Sequence, residues 1–88
     1  MANVTVYSTD HCSFCERAKS LLTARGHAFE EVNLERDPDG RSQLIERTGM
    51  MTFPQILIGD ELVGGFNELV QADRSGRLSQ LTAGQTRP

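Results

Sequence analysis

Residues 10–16 read Asp-His-Cys-Ser-Phe-Cys-Glu, and this stretch holds the only two cysteines of the chain, Cys12 and Cys15. It follows a β-branched, strand-like segment, Val4–Tyr7, and it opens a stretch whose apolar residues recur at helical spacing. A helix N-terminus stabilises a thiolate, because free backbone N–H groups and the positive end of the helix dipole face the sulfur. A second cysteine one turn further on can attack a mixed disulfide formed by the first. The pattern therefore predicts a redox-active cysteine pair.

Two other uses of a Cys-x-x-Cys pair are a zinc site and a structural disulfide. A closed zinc site needs four ligands, and the only histidines that could complete it are His11 and His27. His11 is adjacent to Cys12, and His27 falls between a predicted helix and a predicted strand, so the usual spacing of zinc ligands is missing. A structural disulfide over one helical turn would restrain little of the unfolded chain. The strand–helix–strand context favours the redox interpretation.

The composition is that of one small globular domain. The 88 residues are 38% hydrophobic and 24% charged, and the formal net charge is −3. We expect no nucleic-acid partner, because no Lys/Arg cluster is present, and no membrane partner, because no apolar run approaches the roughly 20 residues that span a bilayer. No signal peptide is recognisable. Two close cysteines without such a signal predict a reducing compartment, most simply the cytoplasm.

Periodicity and capping patterns predict the element order β-α-β-α-β-β-α. The predicted elements are strand Val4–Tyr7, helix Ser13–Arg25, strand Phe29–Leu34, a helix from Pro38 that ends at Gly49, strand Gln55–Ile58, strand Glu61–Val63 and a last helix that carries Phe66, Leu69 and Val70. Together they predict an α/β fold with a mixed four-stranded sheet flanked by three helices. Residues 1–82 are expected to form this domain, and residues 83–88 a flexible C-terminal tail.

Two further motifs flank the last strands. The stretch Thr52-Phe53-Pro54-Gln55 places a proline directly before an apolar strand. If the Phe53–Pro54 bond is cis, the turn exposes the backbone N–H and C=O of Phe53 to an extended peptide. If the bond is trans, the proline simply begins the strand. Two glycines precede the last helix in the stretch Gly64-Gly65-Phe66-Asn67-Glu68. Such a turn can present backbone N–H groups to an anion, or it can simply connect the hairpin to the helix. Arg41, on the first turn of the second helix, could bind a carboxylate, although isolated helix-surface arginines are usually solvated.

These motifs together resemble the glutaredoxin family of the thioredoxin-like fold over about residues 3–81. The shared features are Val4–Tyr7, Cys12-Ser13-Phe14-Cys15 with Ala18-Lys19 and Leu21-Leu22, Thr48-Gly49, Thr52-Phe53-Pro54-Gln55, and Gly64-Gly65 with Leu69. The resemblance implies a glutathione-dependent thiol–disulfide oxidoreductase that reduces protein–glutathione mixed disulfides and protein disulfides. It implies glutathione as the reductant, no required metal, a monomer, and glutathionylated or disulfide-containing proteins as partners.

The family pattern also implies the residues of the site. Cys12 would be the nucleophile, and Cys15 would resolve a mixed disulfide. Pro54 would follow a cis peptide bond, and glutathione would pair with the Phe53 backbone. The residues implied in glutathione binding are Arg41, near the glycyl carboxylate, then Thr52, Phe53, Pro54 and Gly65, and finally Asn67 and Glu68 at the γ-glutamyl end.

The sequence departs from the commonest dithiol pattern of the family in four places. Cys-Pro-Tyr-Cys is replaced by Cys-Ser-Phe-Cys, and a lysine common three residues before the first cysteine is Thr9 here. Phe53 stands where a branched aliphatic residue is usual, and Asn67 with Glu68 stands where two aspartates are usual. These differences bear on glutathione affinity and on the choice of partner, not on the fold.

Two alternative functions stay open at this point. The first is an electron donor reduced by thioredoxin reductase, like the glutaredoxin-like redoxins that serve ribonucleotide reductase. The second is a [2Fe–2S] cluster carrier or sensor. Some family members hold such a cluster between two subunits, each giving its first cysteine, here Cys12, while two glutathione molecules supply the remaining ligands. Ser13 in place of the motif proline is compatible with that use in relatives.

Overall fold

A computed structural model describes residues 3–83 of the chain. Its elements are β1 (Val4–Ser8), α1 (Ser13–Ala24), β2 (Phe29–Asn33), α2 (Pro38–Thr48), β3 (Gln55–Ile58), β4 (Glu61–Gly64), α3 (Phe66–Ser75) and α4 (Arg77–Leu81). The strands form one four-stranded sheet in the order β2-β1-β3-β4. β1 and β2 are parallel, and the other two neighbouring pairs are antiparallel. The predicted mixed sheet is confirmed, and the first seven elements follow the predicted order.

The larger core lies between the sheet and the helices α1, α3 and α4. α1 turns Ala18 and Leu22 toward the sheet, and both are fully buried. They pack with Val4 and Val6, which alternate along β1 and so share one face of it. Burying a leucine side chain of this kind contributes about 1.5–3 kcal/mol. The same core contains Ile56, Ile58, Val63, Leu69, Ala72 and Leu78.

A smaller core lies on the opposite face of the sheet, beneath α2. Leu44 of α2 packs there with Leu34 and with Leu57 of β3. β3 is therefore buried on both faces, because its Ile56 and Ile58 belong to the larger core. A strand covered on both sides carries apolar residues without alternation, which explains the continuous apolar run in the sequence.

The short helix α4 is an addition to the three helices that the sequence pattern predicts. It follows Gly76, whose positive φ of 83° ends α3 and redirects the chain. Its only fully buried side chain is Leu78, so the segment looks polar in sequence. Of the predicted tail, Ala83 directly follows α4 and Thr82, and residues 84–88 lie outside the described part of the chain. Within residues 3–83, every helix is too short or too polar to cross a membrane.

Candidate active site

The cysteine pair lies at the N-terminus of α1. Cys12 and Cys15 are joined by a disulfide, with their Cα atoms 5.2 Å apart. Cys12 is the N-cap residue, and its Sγ accepts a hydrogen bond from the Cys15 backbone N–H at 3.1 Å. Cys12 is half-buried, whereas Cys15 is only 1% exposed. A substrate sulfur can therefore approach Cys12 far more easily than Cys15, which supports Cys12 as the nucleophile.

The sulfur of Cys12 also borders the chain segment that enters β3. The Phe53 carbonyl oxygen lies 3.8 Å from Cys12 Sγ. A disulfide sulfur carries no hydrogen, so this contact can be a hydrogen bond only when Cys12 is a free thiol. In the reduced protein, the Cys15 N–H at the helix end would favour a thiolate, and the carbonyl would favour the protonated thiol. Phe53 is therefore the residue from a distant part of the chain that faces the nucleophile.

A groove of about 410 Å³ opens beside the cysteine motif. Its volume lies within the range typical of small-molecule sites. Six of the seven residues that the family pattern implies for glutathione binding lie on this one surface, and their contact with glutathione stays a prediction. The lining residues are Thr52, Phe53, Pro54, Gly65, Asn67 and Glu68, together with Phe14, Met50 and Phe66.

Three groove residues were not among the predicted site residues. Phe14, 49% exposed, and Phe66 have ring centroids 5.7 Å apart, and both rings line the groove. The Arg17 guanidinium lies 5.3 Å from the centroid of the Phe14 ring, a cation–π distance. Met50 lines the groove as well. The available signal for the aromatic residues was their place inside the cysteine motif and directly after the Gly-Gly pair.

Arg41 is the predicted site residue that the structure does not bring to the groove. Its Nη1 donates to the Leu34 carbonyl oxygen at 2.5 Å and to the Glu35 carbonyl oxygen at 2.6 Å. These bonds tie the first turn of α2 to the two residues that directly follow β2. The contact between Arg41 and a glycyl carboxylate stays a prediction, and it would compete with two existing hydrogen bonds.

The N-terminus of α3 forms the opposite wall of the groove. Glu68 Oε1 accepts a hydrogen bond from the Gly65 backbone N–H at 2.8 Å, the reach-back bond of a capping box. Gly64 has a positive φ of 124°, and a Cβ atom there would lie 2.8 Å from Glu68 Cγ, so a side chain is excluded. Asn67 is exposed, and its side chain makes no hydrogen bond within residues 3–83. Asn67 is thus the available polar group on this wall.

Phe53 offers backbone groups to the groove. The Phe53–Pro54 peptide bond is cis, as the family pattern implies. The Phe53 N–H has no hydrogen-bond partner among the described residues. A half-buried donor without a partner is uncommon, and in a groove it is available to an extended ligand backbone.

An ion-pair network lies behind the cysteine motif. Lys19 Nζ lies 2.9 Å from both Glu16 Oε2 and Glu31 Oε2. Hydrogen bonds to Glu16 and Glu31 raise the pKa of Lys19 above its ordinary value. Hydrogen bonds from Lys19 and Ser8 lower the pKa of Glu31. The network joins α1 to β2 and so helps to hold the helix that carries the cysteines.

The side chains that lie together within residues 3–83 do not fit a metal or an iron–sulfur cluster. In the part of the chain that the structure describes, no three His, Cys, Asp or Glu side chains lie together in a way that could hold a metal ion. Cys12 is the accessible cysteine, and Cys15 is buried. A cluster would therefore need ligands from outside this chain.

Known proteins match this chain over nearly its whole length. The Glutaredoxin family model matches residues 4–63. Glutaredoxin 3 of Escherichia coli (strain K12) is 38% identical over 81 residues, which span 92% of this chain and 98% of that protein. A glutaredoxin of Pseudomonas aeruginosa is 40% identical over 81 residues, which span 92% of this chain and 96% of that protein.

Solved structures agree with the sequence matches. The solution structure of glutaredoxin from Brucella melitensis superposes with a TM-score of 0.82 at 39% identity, and the match covers 99% of this chain and 96% of that one. The crystal structure of a buckwheat glutaredoxin–glutathione complex superposes with a TM-score of 0.85 at 27% identity, covering 93% of this chain and 77% of that one.

Proposed function

Because the chain belongs to the glutaredoxin family of thiol–disulfide oxidoreductases, we propose that glutathione is its reductant and that it reduces protein–glutathione mixed disulfides and protein disulfides. The observation that carries this proposal is the disulfide-bonded pair Cys12–Cys15 at a helix N-terminus. The pair lies beside a groove that Phe53 lines, and the Phe53 N–H has no partner among the described residues. The groove supplies room for a peptide-sized thiol, and the helix end favours a nucleophilic sulfur.

On a protein–glutathione mixed disulfide, Cys12 acts alone. Its thiolate attacks the glutathione sulfur, a Cys12–glutathione disulfide forms, and the protein thiolate leaves and takes up a proton. The thiolate of a second glutathione then attacks the glutathione sulfur held on Cys12. This step releases oxidised glutathione and regenerates the Cys12 thiolate. One free glutathione is consumed in each cycle, the other half of oxidised glutathione comes from the substrate, and the cycle needs no metal.

On a protein disulfide, Cys15 completes the reaction. Cys12 attacks one sulfur of the substrate, and a mixed disulfide forms while the other substrate sulfur leaves as a thiolate. Cys15, one turn into α1, then attacks Cys12, which frees the second substrate thiol and leaves the Cys12–Cys15 disulfide that the structure contains. Two glutathione molecules afterwards reduce this disulfide.

Three features support glutathione rather than an unspecified thiol. The solved buckwheat relative is a complex with glutathione, and it shares this fold. The predicted contacts Phe53, Asn67 and Gly65 line one groove next to Cys12. The Phe53 N–H and the Asn67 side chain lack partners in the described part of the chain, so a γ-glutamyl peptide could satisfy both.

The decisive experiment compares two reductants on one substrate. A glutathionylated peptide is offered to the protein with glutathione, glutathione reductase and NADPH, or with thioredoxin reductase and NADPH. We expect rapid NADPH oxidation with the glutathione system only, and Cys12→Ser serves as the blank. Activity with thioredoxin reductase alone would replace the proposal by the thioredoxin-reductase-linked electron donor.

The cluster alternative is tested by anaerobic purification in the presence of glutathione. We expect a colourless monomer, in which the sulfur of Cys12 pairs with Cys15 or with glutathione and not with iron. A brown dimer that loses its colour in Cys12→Ser would favour the [2Fe–2S] carrier instead.

We further propose that the protein acts in the cytoplasm on glutathionylated and disulfide-containing proteins, without a nucleic-acid or membrane partner. The close cysteine pair suits a reducing compartment, and the net charge of −3 gives no attraction to polyanions. Cell fractionation and gel filtration measure location and oligomeric state directly.

A further inference from the structure

Gln55, the first residue of β3, is a polar side chain with 0% exposure that the mechanism above does not use. Its Nε2 donates to the Met50 carbonyl oxygen at 2.9 Å and to the Thr52 carbonyl oxygen at 3.1 Å. Its Oε1 accepts from Thr48 Oγ1 at 2.8 Å. Carbonyl oxygens only accept, so this network determines which end of the amide is nitrogen. Gln55 thus braces the loop of residues 49–53.

Thr48 holds the Gln55 amide in place. Its Oγ1 lies 2.8 Å from Gln55 Oε1 and 3.0 Å from the Leu44 carbonyl oxygen, but the hydroxyl has a single hydrogen. If the hydrogen pointed to Leu44, two oxygen lone pairs would face each other at a buried site, which is unfavourable. The hydrogen therefore belongs to the bond with Gln55. Thr48 Oγ1 also accepts from the Met50 N–H at 3.1 Å, so both residues fix the same loop.

This brace determines the direction of the Phe53 N–H. The Thr52 carbonyl and the Phe53 N–H belong to one planar trans peptide unit, in which they point in opposite directions. Gln55 draws the Thr52 oxygen toward the buried start of β3. The Phe53 N–H must then point away from Gln55, and it has no partner in the described part of the chain while Phe53 lines the groove.

We propose that Gln55, locked by Thr48, is a positioning residue that aims the Phe53 N–H at the backbone of an extended disulfide substrate bound beside Cys12. The inference rests on the proposed function, because it requires a disulfide substrate in this groove. Gln55 acts through Phe53, and none of its hydrogen bonds involves Cys12. Its loss should therefore raise KM for the disulfide and leave the reactivity of the thiol unchanged.

The first test uses the matched pair Thr48→Val and Thr48→Ser. Valine keeps the volume of threonine and removes the hydroxyl, whereas serine keeps the hydroxyl. For reduction of a glutathionylated peptide, we expect Thr48→Val to raise KM about fivefold, the effect of one hydrogen bond, with kcat within about twofold of the wild type. Thr48→Ser should restore the wild-type KM. Circular dichroism confirms that each variant is folded.

The second test is the pH profile of Gln55→Glu. A carboxylate cannot donate to the Met50 and Thr52 carbonyls, but a protonated carboxyl group can donate to one of them. We therefore expect the KM of Gln55→Glu, divided by the wild-type KM at the same pH, to be high at neutral pH and to fall as the pH is lowered. The titration of the Cys12 thiolate, followed by ultraviolet absorbance, should be the same in the wild type and in Thr48→Val.

Two results would overturn the inference. One is a folded Thr48→Val protein whose KM stays within about twofold of the wild-type KM. The other is a parallel loss of kcat and a shift of the Cys12 titration, which would indicate a general loosening of the site. A further comparison uses dithiothreitol as the reductant in place of glutathione, and it separates the proposed function from the role of Gln55. If the wild type turns over with dithiothreitol but not with glutathione, the proposed function is contradicted. The comparison of KM between the wild type and Thr48→Val, measured with dithiothreitol, then still decides the role of Gln55.

Discussion

Cys12 caps α1 and Cys15 lies buried within it, so the two thiols should respond differently to substitution. We expect Cys12→Ser to abolish turnover of both glutathione mixed disulfides and protein disulfides, because no other accessible thiol can attack the substrate. Cys15→Ser should retain much of the activity on glutathione mixed disulfides, since external glutathione replaces the resolving thiol, and should lose reduction of protein disulfides. The measurement is NADPH-coupled turnover of each substrate. Full loss of both activities in Cys15→Ser, with activity retained in Cys12→Ser, would reverse the two assignments.

Asn67 is the residue at which we expect glutathione affinity to be improved. Asn67→Asp should lower KM for glutathione several-fold, because a carboxylate can form a charge-assisted hydrogen bond with the γ-glutamyl ammonium, whereas the amide forms a neutral one. The gain should be about 1 kcal/mol at this exposed position. The measurement is the dependence of initial rate on glutathione concentration.

Glu68→Gln is the matched control for that experiment. A glutamine oxygen can still accept from the Gly65 N–H, so the capping bond is kept while the charge is lost. We expect it to weaken glutathione binding in the native background and to matter less once aspartate occupies position 67. An unchanged or higher KM in Asn67→Asp would contradict the predicted position of the γ-glutamyl group.

Among the elements, α2 shows how a local cap can be tested apart from the active site. Asp37 Oδ1 accepts from the Gly40 N–H at 2.9 Å, and Pro38 begins the helix, as the sequence predicts. Asp37→Ala should lower the free energy of unfolding by about 1 kcal/mol, as measured by urea denaturation. Asp39→Ala removes an exposed acid of the same turn without removing the cap, so it should lower the free energy of unfolding by less. Equal decreases of the free energy of unfolding in the two variants would mean that Asp37 contributes nothing beyond its charge.

At the scale of the whole molecule, one ion pair from α1 and one from Arg25, the residue that caps its C-terminus, reach neighbouring elements and make stability depend on pH. Hydrogen bonds from Lys19 and Ser8 lower the pKa of Glu31 on β2, and a hydrogen bond from Arg25 lowers the pKa of Asp73 on α3. Each folded pKa lies below the unfolded one, so the stabilisation is present above the unfolded pKa and is lost as the pH falls through the folded one. We expect the free energy of unfolding to decrease as the pH drops below about 4.

The variants Glu31→Gln and Asp73→Asn test this acid sensitivity. Each should be less stable than the wild type at neutral pH and should lose less stability on acidification, because the titrating group is gone. Glu46→Gln is the control, since Glu46 is exposed on α2 and makes no ion pair within residues 3–83. A wild-type protein whose stability is constant between neutral pH and about pH 3 would contradict the attribution to these carboxylates.

The sequence by itself determined the order of the first seven elements, most of their boundaries and the cysteine pair. These features depend on local physics: side-chain periodicity, helix caps such as Asp37, glycine at helix ends, and the match between β3 and an apolar run. The family resemblance, carried by short motifs, then predicted the groove residues around Phe53 and Asn67, which the structure places on one surface.

Only the tertiary structure decided which of these residues meet, and how. Arg41 is paired with two backbone carbonyls, Leu78 of α4 is buried in the core, and the Phe14 ring lies against the Phe66 ring. The burial of Gln55 was likewise not predictable from the sequence, in which it is the polar first residue of a strand. Such features depend on contacts between distant segments, and a polar side chain acquires a defined partner only when folding removes water from it.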